Sequence, residues 1–137
     1  FNKRSIFDEN FFLYFEEFDL CKSIKNNNGS IYLSSELKVH HLGFKSSFST
    51  NAKLKIEANK LKDWHWMWSY FYFYKKNYNY FYALYKVIGK LVKSFFKSIF
   101  YLIILDKENR NKYLYRFLGL FFSIIGKKSN YRVGRFY

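Results

Sequence analysis

Between residues 60 and 125 the sequence runs as three helical patterns with no proline to interrupt them, which confines the second half of the chain to a helical architecture. The first pattern covers 60–74 and contains Trp64-His65-Trp66-Met67-Trp68 before Asn77-Tyr78-Asn79 breaks it. The second covers 81–105. It sets Leu91, Val92, Phe95, Phe96, Ile99 and Ile103 on one face and Lys86, Lys90, Lys93 and Lys97 largely on the other. Asp106 turns the chain, and a last helix over 110–125 closes at Gly126.

None of these helices reads as a membrane span. The longest uninterrupted apolar run, 99–105, has seven residues, whereas a span needs roughly 20. Charge is segregated. Residues 1–52 hold six of the 24 basic and six of the 10 acidic side chains, so 53–137 carry the whole net charge of +14. That split suggests two regions with different roles, 1–52 and 53–137, and an anionic partner for the second. Cationic, aromatic-rich amphipathic helices suit a chain that lies on a membrane surface.

Upstream, a helix is expected over 15–28. Phe15, Phe18, Cys21 and Ile24 recur three apart and share a face. Glu16, Glu17 and Asp19 fall in the first turns, where carboxylates meet the positive end of the helix dipole. Asn26-Asn27-Asn28-Gly29 stops the helix, with Gly29 placed to take a left-handed conformation. Cys21 is the single cysteine, so it has no disulfide partner and reads as a small buried hydrophobe. Residues 30–33 and 37–39 read as short strands around a turn at 34–36. Residues 42–60 read as a loop with a helix starting near Lys53.

Two stretches point to chemistry. The first is Phe7-Asp8-Glu9-Asn10-Phe11-Phe12-Leu13-Tyr14-Phe15-Glu16-Glu17-Phe18-Asp19-Leu20-Cys21, and the second is Val39-His40-His41-Leu42-Gly43. Together they resemble the second half of the catalytic domain of bacterial family 2 glycosyltransferases, the rhamnosyltransferase-like branch above all. That family carries F-D-E-x-F-F-x-Y-x-E-[DE]-x-D-L-C, followed about 20 residues later by V-x-H-x-G. The tail is similar too, in Trp64-His65-Trp66-Met67-Trp68-Ser69, Lys75-Lys76, Gly119 and Tyr131-Arg132.

The resemblance implies an α/β fold: the C-terminal part of a GT-A nucleotide-diphospho-sugar transferase domain, a helix plus short strands in 1–52, followed by an all-helical basic tail. It also implies a fragment, since the family's nucleotide-binding βαβ units and D-x-D metal motif have no counterpart here. The chain begins at Phe1 with no secretory signal pattern, and alone it is expected to transfer no sugar.

The implied chemistry is inverting transfer from a nucleotide-sugar donor to a lipid-linked or polysaccharide acceptor, at the inner face of the cytoplasmic membrane. Such transfer requires a carboxylate to take the acceptor hydroxyl's proton, and the motif maps that base onto Glu17. Glu16 would orient the site or bind an acceptor hydroxyl, and Asp19 would lie on the same helical turn. Neighbouring carboxylates raise one another's pKa, which suits a base. His41 matches the family histidine beside the donor diphosphate, a ligand for Mg²⁺ or Mn²⁺. His65 among tryptophans reads as a packing residue. The competing reading is a basic, aromatic-rich binding module for a membrane surface or nucleic acid without catalysis. No nucleic-acid-binding signature appears in the chain, so none is expected as a partner.

Overall fold

The computed structural model describes residues 6–40 and 52–132. Four helices follow in order: α1 (Glu16–Asn26), α2 (Ala52–Asn77), α3 (Tyr80–Ile103) and α4 (Lys107–Ile124). α2, α3 and α4 pack on one another as a bundle. α1 and the segment leading into it lie along α2.

The α/β architecture expected from the resemblance is not what the chain adopts: no sheet forms among the described residues. Residues 30–33 and 37–39 run as irregular chain. Tyr32 is 87% and Leu33 102% exposed, so neither face of this stretch is covered. A strand is stable only when a neighbour takes up its N–H and C=O groups and one face is buried. Neither condition is met here, and β-branched and aromatic composition alone does not substitute for it.

The bundle helices run close to their expected bounds because polar residues punctuate them. Asn79 caps α3 by accepting from the Tyr82 N–H at 2.8 Å, and Asp106 caps α4 by accepting from the Asn109 N–H at 3.0 Å. α4 ends with Gly126 at φ +78° and the Lys127 N–H on the Phe122 carbonyl, a Schellman closure that glycine accommodates without strain. α1 closes in the same way, but Asn28 (φ 57°) takes the left-handed position expected of Gly29. α2 begins at Ala52, one residue from the start expected near Lys53, and runs on without a break through the pattern expected over 60–74.

Two adjoining clusters form the core. Met67, Phe71, Ala83, Val87 and Leu120 join all three bundle helices. Trp64, Trp68 and Tyr115 extend the core along the α2–α4 seam, with Phe122 and Tyr131 against them. Gly119 permits that seam: a Cβ at this position would overlap the Trp64 carbonyl. α3 meets the bundle mainly through small side chains, with Ala83, Val87, Ser94 and Ser98 all buried. Its large apolar residues mostly face outward.

α1 departs from its expected face. Phe18 is 61% exposed and Cys21 is exposed, so the cysteine is not the buried hydrophobe its pattern suggests. The residue α1 buries is Asp19.

Candidate functional site

The segment from Asp8 to Asp19 is fixed to α2 by side chains distant in sequence. Ser69 Oγ donates to the Leu13 carbonyl at 2.8 Å, and Phe11 meets Tyr72 edge to face at 5.0 Å. Phe15 inserts among Trp66, Tyr70 and Phe73, which lie four and three residues apart on one side of α2. At the far end the Lys76 ammonium donates to Asp8 Oδ2 at 2.8 Å and to Asp19 Oδ2 at 2.6 Å. Asn77 Nδ2 donates to the second Asp19 oxygen at 2.9 Å, and the Tyr72 hydroxyl donates to Asp8 at 3.1 Å. Burial alone pushes the Asp8 carboxyl up, but Lys76, Asn10 and Tyr72 override it and hold Asp8 at about 2.

α1 starts under backbone strain. Tyr14 (φ 67°) and Phe15 (φ 71°) are both left-handed, and Phe15, the residue before the first turn, offers no side-chain cap. A left-handed non-glycine residue costs roughly 1–2 kcal/mol. The aromatic contacts of Phe15 offset that cost and leave the chain entering the helix at a fixed angle.

The three acids proposed for the site then diverge. Successive helical residues are about 100° apart, so Glu16 and Glu17 point in different directions. Glu16 turns inward, and its Oε2 is buried with no hydrogen-bond partner among the described residues. Glu17 is exposed and forms no ion pair with any described residue. Asp19, 6% exposed, is committed to Lys76 and Asn77. Tyr14 and Trp66, ring centroids 5.1 Å apart, stand beside this start. Burial, helped by the negative charges of Asp63 and Glu16, raises the Tyr14 pKa, so the phenol keeps its proton.

His41 lies outside the described residues. Among the described residues no group of three or more His, Cys, Asp or Glu side chains could hold a metal ion. The described acids therefore do not by themselves form the Mg²⁺ or Mn²⁺ site that the resemblance implies. His65 is a packing residue. It is fully buried, with Nε2 2.9 Å from the Tyr131 carbonyl and Nδ1 2.9 Å from Ser129 Oγ. A carbonyl only accepts, so Nε2 carries the proton and Nδ1 accepts from the serine. Burial lowers this histidine to about 4.

Two features had no sequence signal strong enough to find them. Lys76 is one cation among many, and its two partners lie more than 50 positions away. The buried oxygen of Glu16 follows from the strained entry into α1, which no residue pattern announces. Compared with protein-family models, with curated proteins and with solved structures, the chain finds no match in any of the three.

Proposed function

We propose that this chain supplies the acceptor-activating part of an inverting sugar transferase, with Glu17 as the general base. In this reading Glu17 takes the proton of the acceptor hydroxyl as that oxygen attacks the anomeric carbon of a nucleotide-sugar. The new C–O bond forms while the bond to the diphosphate breaks and the nucleoside diphosphate leaves. The acceptor is a lipid-linked or polysaccharide chain at the inner face of the cytoplasmic membrane.

The observation that carries the reading is the division of labour at the start of α1. Among the described residues, an exposed carboxylate with no ion-pair partner (Glu17) stands next to a buried carboxylate oxygen without a hydrogen-bond partner (Glu16). An orphaned buried acceptor costs about 1–3 kcal/mol, and one that persists calls for an explanation. In this reading the Glu16 side chain swings outward to accept a ligand hydroxyl, which satisfies that oxygen and brings the acceptor toward its base. Trp66, 43% exposed, offers a ring face nearby on which a sugar can stack. Asp19 has a positioning role, since its carboxylate is engaged with α2.

Donor binding belongs, in this reading, to a nucleotide-binding half joined to this segment. A divalent cation accompanying the donor would be held by residues other than those described. The test joins the segment to that half, supplies nucleotide-sugars and a lipid-linked acceptor, and follows the glycosylated product by chromatography. Glu17→Gln should lower turnover by at least ~100-fold while donor binding persists. Unchanged turnover removes Glu17 from this role.

A further inference from the structure

We infer that the outer face of α3 is a docking surface for an anionic phospholipid bilayer, on which the helix lies flat. This specifies the membrane partner of the reading above, and it shares with that reading only the location.

The surface is the outward row Phe81, Ile88, Val92, Phe96, Ile99 and Ile103, whose spacing keeps them within one sector of the helix. Each is substantially exposed, with Phe81 81%, Phe96 63% and Ile103 73%. The row runs from Phe81 to Ile103, 22 rises of the helix or about 33 Å at 1.5 Å per residue. It continues onto α4, where Phe117 lies against Phe95 at 5.4 Å and stacks on Phe121 at 5.9 Å. The bundle does not need this face, because α3 packs inward through Ala83, Val87, Ser94 and Ser98. A contiguous exposed apolar face of this length marks an interaction surface.

Charge selects the occupant. α3 carries four lysines and no carboxylate, and residues 78–132 hold eleven basic side chains against two acidic ones. A second copy would bring an equally cationic surface into contact, with no acidic row to oppose it. An anionic lipid surface offers both complements, acyl chains for the row and phosphates for the lysines nearest its flank, Lys86 and Lys93, while Lys90 lies over Tyr70 and Lys97 donates to Tyr113. Long lysine side chains extend their charged ends toward headgroups while their stems lie along apolar surface. At one end of the row, Ser98, Ile99, Leu102 and Leu114 line a cleft with Arg110, whose Nε is buried with no hydrogen-bond partner among the described residues. That guanidinium, which donates to Asn111 Oδ1 at 3.2 Å, adds positive charge at this end of the row. Among the described residues no helix is long and apolar enough to cross a membrane, so the contact is made from the surface.

The test is co-sedimentation of the 137-residue chain with vesicles of phosphatidylcholine, with and without phosphatidylglycerol, in the absence of any sugar nucleotide. The chain should bind the phosphatidylglycerol vesicles preferentially, and less so as salt is raised. Ile88→Glu with Phe96→Glu should abolish binding with helicity unchanged by circular dichroism, as both side chains are exposed. Lys86→Gln with Lys93→Gln should weaken it about 25-fold, at ~5-fold per lysine near an anionic surface. Any of three outcomes overturns the inference: equal binding to both vesicle types; unchanged binding by the glutamate variant; or no vesicle binding, with the face instead closed by a dimer or by a single-stranded oligonucleotide. Since no donor or acceptor is present, a failure here is separate from a failure of sugar transfer, which its own assay reads.

Discussion

Lys76 donates to Asp19 at 2.6 Å across 57 residues of sequence, and the same ammonium holds Asp8 at 2.8 Å. One cation thus fastens both ends of the segment that contains Glu16 and Glu17. Removing one partner of a buried ion pair leaves an uncompensated charge and costs up to 3–5 kcal/mol. The ammonium here is partly exposed, so Lys76→Met should destabilise the chain by about 2 kcal/mol, measured by urea denaturation. Adding Asp8→Asn and Asp19→Asn should recover part of the loss. If the single variant melts like the parent chain, the fastening is not energetic.

Acid should weaken the fold in two windows. His65 is held at about 4 against an ordinary 6.5, so between those values the unfolded chain binds more protons than the folded one. Stability contributed by the neutral imidazole is complete above pH 6.5 and is lost as pH falls toward 4, in all about 3 kcal/mol. Asp8, at about 2 against 3.8, adds a second loss over that lower range, about 2 kcal/mol. Denaturant melts from pH 7 to pH 4 should slope downward. A His65→Gln variant, less stable at pH 7, should lose most of that slope.

Gly119→Ala should destabilise by about 1–3 kcal/mol, the usual cost of forcing extra volume into a packed seam. The added methyl would meet the Trp64 backbone, which cannot swing aside as a side chain can. Gly89 has open space around it, so Gly89→Ala should stabilise slightly through helix propensity. Thermal melts of the two variants should therefore shift in opposite directions.

Glu16→Gln should separate from Glu17→Gln in kinetics. If Glu16 holds the acceptor and Glu17 takes its proton, the Glu16 variant should raise the acceptor KM, whereas the Glu17 variant should lower kcat by ~100-fold or more. Initial rates across acceptor concentrations read both. Equal effects of the two variants on kcat would dismiss the division of roles.

The bundle was legible in the sequence because its signals are local. Asn79, Asp106 and Gly126 stop and start helices through contacts within a few residues. The strands expected at 30–33 and 37–39 depended on partners, and composition could not report that none is present among the described residues. The apolar spacing of Phe18 and Cys21 failed for a related reason. Asp19, not that face, meets α2, because Lys76 awaits it there. Of the proposed acids, sequence placed Glu16, Glu17 and Asp19 on one helix but could not tell that one points inward, one outward and one is bound.

The serine and alanine seam on the inner side of α3 has a consequence for how this molecule can change. The side chains that hold α3 in the bundle and the apolar row it leaves exposed lie on different sides of a single helix. Stickiness toward an outer neighbour can therefore be tuned, side chain by side chain, without reopening the scaffold beneath it.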